Sequence, residues 1–245
     1  MSCIDVLFAG TGSALNPRRA QASIVLDIAG SIIALDLGCY APNNAERSGF
    51  KLDEAQAYII THEHYDHLCS LPMIAFIKTF RSREQTMKIY TTVPGAYIID
   101  GILSYTAKLW GIDYLVRGVN AGESVIVGDA KLRFLRAEHT VEALSVIVEY
   151  SGLKVIVSGD TRPTLEYRVN ARNADLAVHE ATLPSNMTEL AIKTGHSTVG
   201  EAISQVEDAS IAVLYHLTLE SEEELLRLGK PKILILDDGG VIKLC

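Results

Sequence analysis

Apolar positions in the first third of the chain follow the period of a pleated strand. Residues 4–9, 23–28 and 31–36 have this character, and Ala29-Gly30 between the last two predicts a hairpin. The apolar run Ala57-Tyr58-Ile59-Ile60 reads as a further strand. Pro72 and Pro94 suit first helical positions, which predicts one helix to about Thr79 and another to Gly111. Strand-like runs return near 114–117, 123–127, 131–136, 144–150 and 153–157, with Ser151-Gly152 as a turn between the last two. The final third alternates: a strand at 175–178, helices at 186–193 and 199–207, a strand at 211–216, a helix at 222–228, and closing strands near 232–236 and 241–244. Two capping boxes are predicted, Thr198 with Glu201 and Ser221 with Glu224.

Strands first, then helix, strands again and helices last is not the regular alternation of a parallel α/β wheel. It suits an α/β fold of two stacked mixed sheets flanked by helices. The 245 residues can bury a sizeable core, and with no linker, repeat or low-complexity tract they read as one domain, 1–245. Turn-rich segments at 10–22 and 38–50 read as surface loops. Gly10-Thr11-Gly12-Ser13 lacks the third glycine of a dinucleotide fingerprint. Neither a targeting segment nor a membrane-length apolar run is present, so a soluble cytoplasmic protein is expected. Cys3, Cys39, Cys69 and Cys245 form no Cys-x-x-Cys pair; the reading expects no disulfide framework and no cysteine zinc knuckle, with Cys69 as packing.

Candidate chemistry concentrates in Thr61-His62-Glu63-His64-Tyr65-Asp66-His67, directly after the apolar run. A lone histidine is usually an ordinary surface or core residue, but three with a carboxylate in six positions form a metal-ligand set. Further candidates, His139, Asp160, His179 and His216, each follow a strand-like run, so they line one rim of a sheet. Gly159 before Asp160 permits a sharp turn and close backbone approach. His179-Glu180 is not a zincin helix, since Leu183 stands at the second histidine position, and no Gly-x-Ser-x-Gly elbow exists.

On these residues the sequence resembles the metallo-β-lactamase superfamily, whose His-x-His-x-Asp-His signature reads here as His62, His64, Asp66 and His67. Within it the chain looks most like the RNase Z group, which removes 3′ trailers from precursor tRNA. The motifs carrying this are Ser158-Gly159-Asp160-Thr161-Arg162, His179-Glu180-Ala181-Thr182 and Gly195-His196-Ser197-Thr198. The resemblance implies an αββα sandwich and two zinc ions, or manganese or another divalent ion. It assigns His62, His64 and His139 to one ion, Asp66, His67 and His216 to the other, and Asp160 to both. Metal hydroxide attack on a phosphodiester follows, with Asp66 taking the proton, His196 serving the leaving oxygen and Glu180 holding His196. His64, where diiron relatives carry Glu, favours hydrolysis over redox chemistry. Arg18 and Arg19 in the loop after the first strand, and Ser197 and Thr198 beside His196, are candidate substrate contacts. The group is also expected to be homodimeric, one subunit holding tRNA while the other cuts.

Other features point away from tRNA. Only twenty residues separate His139 from Asp160, leaving no room for the protruding arm with which the group usually grips tRNA. Leu217-Thr218-Leu219 and Arg19-Ala20-Gln21 also depart from the usual pattern. A net charge of −8 argues against a broadly basic RNA-binding face, although Lys78-Thr79-Phe80-Arg81-Ser82-Arg83 with Lys88 reads as a basic strip beside the site. A hydrolase of small or cyclic phosphodiesters is therefore the alternative, followed by one acting on esters or lactones. A non-catalytic module is disfavoured by the complete ligand set. The acidic run 220–224 reads as the first turn of a helix.

Overall fold

The computed structural model describes residues 2–82 and 85–245. The first half of the chain forms β1 (Ile4–Gly10), β2 (Ser23–Ile28), β3 (Ser31–Leu35), α1 (Ala41–Arg47), a 3-10 turn (Leu52–Glu54), β4 (Ala57–Ile59), α2 (Tyr65–Leu68), α3 (Leu71–Arg81), β5 (Met87–Thr91), α4 (Val93–Trp110) and β6 (Tyr114–Gly118). The second half forms β7 (Ser124–Val127), β8 (Ala130–Glu138), β9 (Glu142–Tyr150), β10 (Leu153–Val157), α5 (Leu165–Ala171), β11 (Leu176–Glu180), α6 (Thr188–Thr194), α7 (Val199–Val206), β12 (Ile211–Tyr215), α8 (Leu219–Leu228), β13 (Ile233–Leu234) and β14 (Gly240–Leu244). Two seven-stranded mixed sheets result, ordered β14-β1-β2-β3-β4-β5-β6 and β13-β12-β11-β10-β9-β8-β7.

Strand alternation sorts each apolar run between two layers, which explains why these strands read as near-continuous apolar runs. In β4, Ala57 and Ile59 join Phe8, Leu26, Phe134 and Val178 between the sheets, whereas Tyr58, and Ile60 just after the strand, lie under α3 and α4 with Leu71 and Leu103. In β11, Leu176 and Val178 face between the sheets while Ala177 packs with Val199 and Val206 of α7. The architecture is thus helix, sheet, sheet, helix.

Hydrophobic periodicity missed α1, α5 and β5. The two helices are single short stretches of seven residues that take their stability from packing Ala45 and Tyr167 inward. The expected Ser221–Glu224 box is corrected: Thr218 is the cap, its hydroxyl accepting from the Ser221 amide, and α8 starts at Leu219. Glu224 accepts instead from the amide and hydroxyl of Ser185. The Thr198–Glu201 box is present.

Two further expectations are overturned. Disulfides join Cys3 to Cys245 and Cys39 to Cys69. Pairing of β1 with β14, Ile4 opposite Leu244, brings residues 242 apart in sequence together, which spacing cannot reveal. The basic strip does not form. Lys78 is fully buried with its ammonium donating to Asp53 O at 2.6 Å, and Arg81 pairs with Glu46. Lys88 lies near the start of β5, which is parallel to β4, whereas the histidine cluster follows the end of β4. Arg83 lies outside the described residues. No helix among the described residues is long and apolar enough to cross a membrane.

Candidate metal centre

Parallel pairing of β3 with β4, and of β10, β11 and β12 with one another, puts their carboxyl ends on one rim. Side chains from the ends of successive strands therefore converge there, as ligand sites in open α/β sheets do. Asp36 follows β3, the histidine cluster follows β4, Asp160 follows β10, Glu180 ends β11 and His216 follows β12. His139 follows β8, which two antiparallel pairings orient the same way as β10. A main-chain bond from the Leu144 amide to Thr61 O ties the two sheets together beside the cluster.

Among the described residues two groups of four donor atoms form, each within 4.8 Å, His62, His64, His139 and Asp160, and then Asp66, His67, Asp160 and His216; Glu180, His196 and His216 make a smaller third. His64 Nδ1 lies 3.0 Å from His62 Nε2 and 3.1 Å from His139 Nε2. Asp160 Oδ2 is 3.7 Å from His62 Nε2 and 3.2 Å from His67 Nε2, so one carboxylate faces both groups. His216 Nε2 completes the second group, 3.3 Å from Asp66 Oδ2 and 3.5 Å from Asp160 Oδ1. His67 Nε2 and Asp160 Oδ1 are buried without a hydrogen-bond partner, an arrangement that costs free energy unless a cation engages them. Nitrogen and carboxylate donors suit zinc or manganese, so the residues fit divalent ions.

Burial and neighbouring charges push the groups of the site in opposite directions. Burial disfavours the His67 imidazolium, but Asp160 and Asp36 outweigh it and push its pKa well above the usual histidine range. Burial, reinforced by the charge of His67, drives His62 down. Asp66 is held at about 2 because the His216 hydrogen bond and the His67 charge exceed the cost of burial. Beside the donor groups, His196 Nδ1 donates to the fully buried Glu180 carboxylate at 2.9 Å. Glu180 overcomes desolvation there and raises the His196 pKa to about 9.

The remaining expected positions are placed as follows. His179 points away from the rim: strand alternation sends it to the helix side of β11, where it packs edge-on against Tyr167, so it joins neither donor group. Ser197 is buried with its hydroxyl donating to Thr161 O, and Thr198 is occupied as the cap of α7. Arg19 pairs with Glu222 at 2.6 Å and donates to Thr11 Oγ1 and Leu236 O, so its guanidinium is taken up by the protein; Arg18 is exposed. Gly159 does have a positive φ of 61°, and a side chain there would meet Leu144 O at 2.8 Å.

Four residues escaped the sequence reading. Asp36 accepts from the Thr61 amide at 2.8 Å and binds His67 Nδ1 at 2.8 Å. Thr61 Oγ1 is 3.1 Å from His62 Nδ1, and Thr182 Oγ1 is 2.8 Å from His216 Nδ1. Arg162 donates to His196 O at 2.6 Å and forms a two-pronged pair with Glu201. The motifs contained Thr61, Thr182 and Arg162, but no spacing rule says which neighbours they meet. Asp36, in the left-handed region at φ 58°, lay outside every motif.

Residues 38–217 match the family described as Beta-lactamase superfamily domain. The chain is similar to ribonuclease Z of Methanothermobacter thermautotrophicus, with 26% identity covering 88% of this chain and 87% of that protein. Its fold is similar to that of the metallo-beta-lactamase fold protein YhfI from Bacillus subtilis, with TM-score 0.82 and 18% identity over the whole of both chains. The short form of human tRNase Z gives TM-score 0.80 and 24% identity over 97% of this chain and 98% of that one.

Proposed function

The chain belongs to the beta-lactamase superfamily and is a metal-dependent hydrolase, and we propose that it is a dinuclear-zinc endoribonuclease that removes the 3′ trailer from precursor tRNA. The observation that carries this reading is the His196–Glu180 pair, 2.9 Å apart and set against two donor groups that share Asp160. A histidine held protonated there can supply the proton that a departing ribose 3′ oxygen needs. The similarity to ribonuclease Z supports the same choice.

His62, His64, His139 and Asp160 would hold one ion, and Asp66, His67, His216 and Asp160 the other. Bound there, zinc would act as a Lewis acid toward phosphoryl oxygens and make water a nucleophile at neutral pH. Asp66, kept ionised, accepts the proton of the attacking water. His196, kept protonated by Glu180, gives its proton to the leaving 3′ oxygen of the tRNA, and the trailer departs with a 5′-phosphate. Arg18 is the exposed cation of the 10–22 loop available to a substrate phosphate. We assign the whole chain to one domain and the reaction to the cytoplasm.

A homodimer is supported by the outer face of α3 and α4, where Met73, Phe80, Tyr97, Tyr105 and Trp110 are exposed. A second reading, hydrolysis of smaller or cyclic phosphodiesters, is supported by the β8–β9 hairpin. Its tip is residues 139–141, with no arm to grip tRNA.

The test is to incubate zinc-loaded protein with trailer-bearing precursor tRNA and with an activated small phosphodiester, using Asp66→Ala as the control. Cleavage beside the discriminator base, lost in the variant, supports tRNA processing. Turnover of the small diester alone moves the assignment to the second reading.

A further inference from the structure

Two of the buried carboxylates, Asp36 and Glu180, each hold one histidine directly and a second through a threonine. Asp36 binds His67 Nδ1 at 2.8 Å, and its Oδ2 accepts from Thr61 Oγ1 at 3.0 Å, which in turn is 3.1 Å from His62 Nδ1. Glu180 binds His196 Nδ1 at 2.9 Å, and its Oε2 accepts from Thr182 Oγ1 at 2.7 Å, which is 2.8 Å from His216 Nδ1. The two chains of contacts come from opposite sheets and end on histidines of different donor groups.

Proton counting gives these contacts a direction. A threonine hydroxyl has one proton and can donate only once, and a carboxylate can only accept. The Thr61 and Thr182 protons therefore go to Asp36 and Glu180, and each hydroxyl oxygen must accept from the neighbouring imidazole. His62 and His216 are thereby fixed with the proton on Nδ1 and the lone pair on Nε2, an assignment made from the network. Those Nε2 atoms face the donor groups, at 3.7 Å and 3.5 Å from Asp160.

We infer that Thr61 and Thr182 are positioning residues that each set the tautomer of one metal ligand, Thr61 for the His62 group and Thr182 for the His216 group. The inference rests on the reading that these groups hold ions, and it is independent of the substrate. Substitution by valine keeps the shape of each side chain. Asp36 retains the Thr61 amide at 2.8 Å and Glu180 the Thr182 amide at 3.0 Å, so neither carboxylate is stranded.

The test is a zinc competition titration against a chromophoric chelator on the full chain, with circular dichroism to verify folding. His139→Ala marks the step belonging to the first group and Asp66→Ala the step belonging to the second. Thr61→Val is expected to weaken the first step about 10–100-fold and leave the second within about twofold, and Thr182→Val to do the reverse. Thr61→Ser and Thr182→Ser, which keep the hydroxyl, should restore wild-type affinities. The inference is overturned if either valine variant leaves both steps unchanged or weakens both equally, or if serine behaves like valine. A wild-type protein that binds no zinc would overturn the metal reading as well, which separates the two failures.

Discussion

Arg162 offers the sharpest test of how His196, the proposed donor to the leaving oxygen, is held. Its guanidinium donates to His196 O at 2.6 Å and to both Glu201 oxygens, while Glu201 also caps α7 through the Thr198 amide at 2.9 Å. The pair is mostly buried, with side-chain exposures of 18% and 26%. Hydrogen bonds to charged groups contribute about 1.5–3 kcal/mol each. Glu201 can recover part of that from water, so Arg162→Ala should cost about 2–3 kcal/mol in total, read as a lower midpoint in urea. Release of the His196 main chain permits a shift of about 1 Å in its imidazole, which costs on the order of 100-fold in rate. That is about 2.7 kcal/mol on the barrier. The assay compares kcat on precursor tRNA with kcat on a p-nitrophenyl diester, whose leaving group needs no proton. The tRNA rate should fall about 100-fold and the activated rate about twofold or less, with Arg162→Lys between wild type and alanine. Equal losses on both substrates, or no loss on either at full folding, would refute the account of Arg162 as the clamp of His196.

Three other outcomes are expected. His196→Ala should lower kcat on unactivated phosphodiesters by about 10²–10⁴-fold, with much less effect on the p-nitrophenyl diester; stopped-flow comparison of the two checks it. The Arg19 hydrogen bond, against the opposing effect of burial, holds the Glu222 pKa below the usual carboxylate range. Because that pKa is lowest in the folded state, the pair stabilises fully above the unfolded carboxylate value of about 4.3 and fades as pH falls through the folded value. The stability gap between wild type and Arg19→Ala in urea should thus be constant from neutral pH to about 5 and shrink below about 4.3. Finally, Phe134, fully buried between the sheets, should cost about 3–5 kcal/mol on replacement by alanine, measured by urea unfolding.

Local patterns in the sequence determined a good deal of this protein. Apolar periodicity placed β1, β2, β3 and the later strands other than β5 within a few residues, because burial on a pleated surface repeats every two positions whatever the partner. The density of imidazoles at 62–67 announced a metal site, and the order of elements announced two layered sheets. Tertiary structure decided everything that depends on which distant residues meet. One step along β11 separates Glu180, which meets His196, from His179, which packs on Tyr167 on the helix side. Register between β1 and β14 joined Cys3 to Cys245. A local reading saw Lys78 and Arg19 as free cations, but the Lys78 ammonium is buried on the main-chain carbonyl of Asp53 and Arg19 is paired with Glu222. Asp36, Thr61 and Thr182 are ordinary residues in sequence; only the convergence of strand ends brings them against His67, His62 and His216. Hydrogen bonds reach about 3 Å, so their partners are set by the packing of strands far apart in the chain rather than by spacing along it.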